Sequence, residues 1–265
     1  MTASRFARAL QALIAAAVGL SSALAFAQGP GPGAPMPLAV DLGKVPLGTQ
    51  AEYATTMGAL PPMNMRLALV ARTPAGLATL ETTAEGGMMA MAGGKVVVDS
   101  VLDTDHGKGD PSVKKLIMQI GTNDPMEMPS QVAHGDQFRR PDPKTLVGEE
   151  TVKVKAGSFK TKHYRDKTPV GDKVDYWVSD AAPPLGLVKM QADTKNAAAA
   201  AGPAAGMVGS VTIELVALGK GAKQVITKPA KPFDEAKFRQ QLMSGMGAGS
   251  PPPAEAPPPA PGAKK

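Results

Sequence analysis

Between residues 49 and 218 one pattern recurs ten times: a run of strand length in which apolar or β-branched side chains alternate with polar ones, closed by Gly, Pro, Asn or Asp. On an extended strand successive side chains point to opposite faces, so each run buries one face and wets the other. The first five runs are Thr49 to Met57, Asn64 to Arg72, Leu77 to Thr83, Lys95 to Leu102 and Val113 to Ile120. The second five are Glu150 to Lys155, Phe159 to Arg165, Lys173 to Ser179, Leu185 to Ala192 and Ser210 to Leu218. Breaks such as Glu85-Gly86-Gly87, Ala156-Gly157 and Val170-Gly171-Asp172 are short enough for hairpins, which makes sequential antiparallel pairing the economical topology. Ten strands are too many for one flat open sheet. The predicted fold is therefore mainly β: a curved antiparallel sheet or incomplete barrel with a C-terminal helix and disordered termini.

The ends of the chain have a different character. Arg5 and Arg8 precede an apolar run from Ala9 to Leu20, broken only by Gln11, and small residues lead to Ala25-Phe26-Ala27. This order predicts a secretory signal peptide over 1–27. The alternative is an uncleaved anchor, because Ala9 to Ala27 just reaches the length that crosses a bilayer. No later run is that long, so the mature chain is expected to carry no transmembrane segment and to reside in the periplasm or outside the cell. The absence of cysteine excludes disulfides, thiolate chemistry and the cysteine-linked lipid of a bacterial lipoprotein.

Composition divides the mature chain into a flexible Gly/Pro leader over 28–44, a β domain over 45–219, a basic segment with a helix over 220–244, and a disordered Pro/Ala-rich tail over 245–265. The helix is placed on Asp234 to Met243, where Asp234 caps and Phe238 and Leu242 recur at helical spacing, and it is positioned to pack across the opening of the sheet. The alanines Ala197 to Ala201 suggest a short helical insert.

The formal charge of +6 is terminal. Arg5 and Arg8 leave with the signal, and from Lys220 onward eight basic residues face three acidic ones, so the body is left at −1. With no net field on the body and few aromatics among the basic residues, a nucleic-acid partner is excluded. The basic tail is either a passive solvated end or a contact to the cell wall or a membrane surface.

A local signature spans Val147 to Met190: Gly148-Glu149-Glu150-Thr151-Val152-Lys153-Val154-Lys155-Ala156-Gly157-Ser158-Phe159-Lys160, then Val174-Asp175-Tyr176-Trp177-Val178-Ser179, then Pro184-Leu185-Gly186-Leu187-Val188-Lys189. It resembles the C-terminal half of uncharacterised exported bacterial proteins similar to the lipoprotein-localisation-factor superfamily. That resemblance implies a half-open antiparallel barrel cupping a helical lid around an apolar cavity. Within Lys173 to Ser179 the alternation sets Val174, Tyr176 and Val178 on one face and Asp175 and Trp177 on the other, where Trp177 could pack at the rim or stack on a ligand.

Methionine is the compositional oddity. Met63-Asn64-Met65, Met89-Ala90-Met91 and Met126-Glu127-Met128 each place two sulfurs on one face of an extended strand. Three readings stay open: irregular core filling; an adaptable cavity for an apolar or lipid-like ligand, to which Met118, Phe159 and Trp177 also belong; and, as a lesser alternative, a Cu(I) site at Met63, Met65, Met126 and Met128.

Catalytic signatures are missing. There is no Gly-x-Ser-x-Gly elbow, no His-Glu-x-x-His helix and no cofactor motif. His106, His134 and His163 lie in unrelated segments, and His163 reads as a satisfied inward residue. Glu149 and Glu150 point to opposite faces. The acidic run from Asp103 to Asp110 lacks the Gly and Glu that a calcium loop needs at its sixth and twelfth positions, which are Lys108 and Lys114. The expected function is non-catalytic binding or carriage of an apolar or amphipathic ligand. The alternative is a structural or interaction protein of the envelope without a ligand; a cavity lined by Met, Leu and Val would favour the first and a packed interior the second.

Overall fold

The computed structural model describes residues 35–58, 60–87, 94–104, 109–129, 137–168, 171–193, 196, 210–238 and 240. The signal segment, the tail over 245–265 and the alanines at 197–201 lie outside the described residues.

Each of the ten predicted runs is a strand: β2 (Gln50–Met57), β3 (Met63–Arg72), β4 (Leu77–Gly86), β5 (Lys95–Asp103), β6 (Ser112–Ile120), β9 (Leu146–Val154), β10 (Gly157–Lys167), β11 (Lys173–Val178), β12 (Leu187–Ala192) and β13 (Val211–Gly219). Four two-residue strands escape the sequence pattern because two residues show no period: β1 (Met36–Pro37), β7 (Met126–Glu127), β8 (Phe138–Arg139) and β14 (Lys231–Pro232). Twelve strands form one sheet in the order β14-β7-β6-β5-β4-β3-β2-β13-β12-β11-β10-β9. Neighbours are antiparallel except β14 and β7, and the two halves of the chain are stitched where β13 pairs with β2. The sheet is strongly curved and does not close into a barrel.

One face of the sheet holds the main core. Leu67 and Leu69 of β3, Leu80 of β4, Leu102 of β5, Leu116 and Met118 of β6, and Ile213 and Leu215 of β13 are all buried in a single cluster. Their i, i+2 spacing is the reason: each strand turns its apolar set inward, and a slip of one residue would invert it.

Residues 35–44, read from composition as the end of a flexible leader, are corrected by the structure. Met36, Leu38, Val40, Leu42 and Val45 are buried in the same cluster. The backbone is pinned as well, with Leu38 N donating to Arg139 O at 2.8 Å and Ala39 N to Leu185 O at 2.8 Å. The alternation Met36, Leu38, Val40, Leu42 outweighs the Gly and Pro around it, because each fully buried Leu contributes roughly 1.5–3 kcal/mol.

The basic segment after β13 runs across the opposite face as a strap. Ala222 N donates to Gly48 O at 2.9 Å, Val225 N to Glu81 Oε2 at 2.5 Å, and Lys231 N to Pro125 O at 2.9 Å. Gly48, at φ +78°, permits this crossing: a Cβ there would sit 3.1 Å from Gly221 N. A helical turn then begins at 235, capped by Asp234, whose Oδ1 accepts from Lys237 N at 3.1 Å. Phe238 on that turn is fully buried in the main core, its ring 5.5 Å from that of Phe233.

Candidate functional site

The concave face gathers the methionines unequally. Met118 and Met126 sit directly opposite each other across β6 and β7, and Met128, whose N–H donates to Leu116 O at 2.8 Å, joins them; all three are buried in the main core. Met63 and Met65 do share one face of β3, Met63 in a small satellite cluster with Ala84 and Met65 half-buried against the main core. Met89 and Met91 lie outside the described residues. β3 and β7 are four steps apart in the sheet, about 19 Å along its surface at a typical strand spacing. Met63 lies in a different buried cluster from Met126 and Met128, so the four thioethers of the Cu(I) set Met63, Met65, Met126 and Met128 are not gathered into one group.

The cluster that holds these sulfurs also takes in both ends of the β domain. Leu38, Leu42 and Phe238 are buried in the cluster that contains Met118, Met126 and Met128. Phe159 is half-buried with Val152, Val154 and Ala156 against that core, and Ala156 N donates to Leu215 O at 3.3 Å, so the tip of the β9–β10 hairpin folds back as far as β13.

Trp177 lies on the other face, opposite His163 in the β10–β11 register. Its indole N–H donates to Glu150 Oε1 at 2.6 Å, the His163 ring stacks on it at 4.4 Å and 16°, and Lys189 Nζ stands 5.8 Å from the ring. With one side under the imidazole, a lysine over the ring and the N–H taken, Trp177 is a packed residue rather than a stacking platform for a ligand. His163 is satisfied, as expected, but it sits on the Trp177 face rather than facing the main core. Its Nε2 is 2.8 Å from Asp175 Oδ1 and its Nδ1 3.4 Å from Glu150 Oε1, so the ring is held between two carboxylates. Burial works against the Asp175 charge, yet hydrogen bonds from Lys173, His163 and Arg165 hold its carboxyl below the usual range.

Two grooves are lined by described residues. One of about 820 Å³ is bordered by Leu38, Arg140, Glu149, Lys160, Lys162 and Tyr164. Another of about 470 Å³ runs past Asn64, Met65, Arg66, Glu85, Lys95 and Val225, and so includes one of the predicted cavity methionines. Both mix charged and apolar groups in about equal parts, unlike the Met, Leu and Val lining expected of a carrier. Asp103 and Asp110, the described ends of the acidic run, are engaged within the chain: Lys114 Nζ is 3.3 Å from Asp103 Oδ2, and Arg140 N donates to Asp110 Oδ1 at 2.8 Å. His106 and His134 lie outside the described residues. Among the described residues no group of three or more His, Asp or Glu side chains is arranged to hold a metal, and no helix is long and apolar enough to cross a membrane.

No protein-family model matches the chain, and no curated protein does. Among solved structures it is similar to the complex of MucA with MucB from Pseudomonas aeruginosa, at 11% identity and a TM-score of 0.35, over 72% of this chain and 54% of that one. The chain thus spans about half the length of that structure. It is also similar to a protein described as a lipoprotein from Parabacteroides distasonis, at 10% identity and a TM-score of 0.31, over 70% of this chain and 100% of that one.

Two groups escaped the sequence reading. The plug residues Met36, Leu38, Val40 and Leu42 were visible as an alternation but masked by their Pro-rich setting. The second group lies under the strap, where Glu81 and Asp99 face each other across β4 and β5 and are almost fully buried. Arg66 Nη2 donates to Glu81 Oε1 at 3.1 Å, and Gln224 Nε2 to Asp99 Oδ2 at 2.7 Å. Each carboxylate occupies a wet-face position of an alternating strand; what buries it is a segment more than a hundred residues away, which no local pattern encodes.

Proposed function

We propose that this is an exported, non-catalytic interaction protein of the cell envelope whose sheet is a scaffold and not a ligand cup. One observation supports the reading: the buried apolar cluster on that face of the sheet takes in the chain's own segment 36–45 and Phe238. The signal sequence supports an extracytoplasmic place.

A second reading, carriage of a lipid-like ligand, is favoured by one specific feature. The described part of the C-terminal cover is a helical turn whose buried anchor is Phe238, so its withdrawal would open the cluster to which Met118, Met126 and Met128 belong. Native mass spectrometry of the protein purified from its own envelope, followed by lipid extraction, decides between the two. A bare protein fits the interaction reading; stoichiometric lipid overturns it in favour of the carrier.

A further inference from the structure

The lysines of this protein are not paired evenly. Lys44, Lys95, Lys114, Lys115, Lys173, Lys189, Lys228, Lys231 and Lys237 each stand within 4.0 Å of a carboxylate. On the β9–β10 hairpin, Lys153, Lys155, Lys160, Lys162 and Lys167 are all exposed and none has an ion-pair partner among the described residues; elsewhere the same holds only for Lys144, Lys220 and Lys223. The carboxylates that could neutralise them are engaged elsewhere: Glu150 by Trp177 and His163, and Asp166 by Arg139 at 3.9 Å, which leaves Glu149. The hairpin from Leu146 to Lys167 thus carries six cations against three carboxylates, on a body whose net charge is −1.

Geometry concentrates this charge. Lys153, Lys160 and Lys162 lie opposite Ser158, Thr151 and Glu149 in the register, which puts all three lysines on one face. The hairpin ends the sheet, because β9 has no further neighbour, and at the start of β9 Leu146 and Val147 are 44% and 52% exposed. We propose that this hairpin is a docking surface for an anionic phospholipid membrane. Protein interfaces favour Arg and deplete Lys, whereas here every unpaired cation is a lysine. Point charges without directional forks, next to two apolar side chains, suit a diffuse layer of headgroups better than the fixed carboxylates of an acidic protein.

The inference rests on the envelope reading above by naming the partner, and its test is independent of whether lipid co-purifies. Sedimentation of the full chain with phosphatidylcholine vesicles, with and without phosphatidylglycerol, reads it directly. Binding is expected only with phosphatidylglycerol, weakening as salt rises. The triple variant Lys153→Gln, Lys160→Gln, Lys162→Gln should bind roughly 100-fold more weakly, with an unchanged thermal melt. Lysines that merely guard a sheet edge against aggregation would leave the wild type unbound to either vesicle. That result overturns the proposal, as does full binding by the triple variant, which would assign the contact to the basic tail, or tighter binding to polyglutamate than to vesicles.

Discussion

Replacing Asp99 with Asn should stabilise the protein at neutral pH and leave it unchanged in acid. Asp99 is 1% exposed, and burial pushes its carboxyl up to about 6 from 3.8; the Gln224 hydrogen bond opposes the rise and the neighbouring Glu81 adds to it. Oδ1 has no hydrogen-bond donor among the described residues, so ionisation leaves a buried charge half-satisfied. Between pH 3.8 and 6 the native state binds more protons at this site than the unfolded chain, so stability falls as pH rises through that window. A shift of about two units corresponds to roughly 3 kcal/mol, fully expressed above pH 7 and absent below about pH 4. Asn keeps an acceptor for Gln224 Nε2 and cannot ionise. Urea unfolding followed by the emission of Trp177, the one tryptophan of the chain, gives the comparison at pH 4 and pH 8. The expected result is a gain approaching 3 kcal/mol at pH 8 and little at pH 4. An equal effect at both pH values, or a loss at pH 8, would refute the burial argument.

The remaining predictions concern the two faces of the sheet. Phe238→Ala should cost about 3–5 kcal/mol in urea unfolding, the usual range for emptying a buried aromatic site; a cost under about 1 kcal/mol would show that the helical turn does not close the core. His163→Ala removes the stacked ring and the partner of Asp175, so it should cost about 1–3 kcal/mol and shift Trp177 emission to the red; unchanged emission would place the indole in a different setting. Met126→Leu conserves volume and should cost less than about 1.5 kcal/mol with no effect on a Cu(I) titration, whereas a marked fall in Cu(I) affinity would revive the thioether site.

The sheet was legible because its signal is local and repeated: outside the β9–β10 hairpin the residue types of the long strands themselves show which side faces inward. The start of β9 was not, because Val147-Gly148-Glu149 breaks the alternation with a residue that reads as punctuation. The face of His163 was hidden for a related reason. Sequence showed that it shares a side with Thr161, but not which side of β10 meets the main core, and only the register against Trp177 settles that. Trp177 itself was legible as a residue of the polar face, yet its closure by His163, Glu150 and Lys189 depends on three other strands. The unpaired lysines could be counted from sequence but not recognised, since pairing is a property of where the carboxylates end up.

These features connect through the problem of an open sheet. A curved sheet that does not close has two edges and two faces to protect, and exposed edges invite pairing with other chains. The two ends of the β domain answer most of this. Segment 36–45 joins the buried cluster on one face, the strap covers Glu81 and Asp99 on the other, and β14 at the end of the strap pairs with β7, covering that edge with a two-residue strand in which Pro232 can donate no ladder hydrogen bond. What is left without a further strand partner among the described residues is β9, and most of the unpaired lysines lie on its hairpin with β10. Edge protection alone would be served by charges of either sign, and carboxylates within the hairpin could have neutralised lysines without exposing apolar backbone. The uncompensated, single-sign field on that edge is therefore the part of the architecture that packing does not explain, and the part where an external partner of opposite charge would add most.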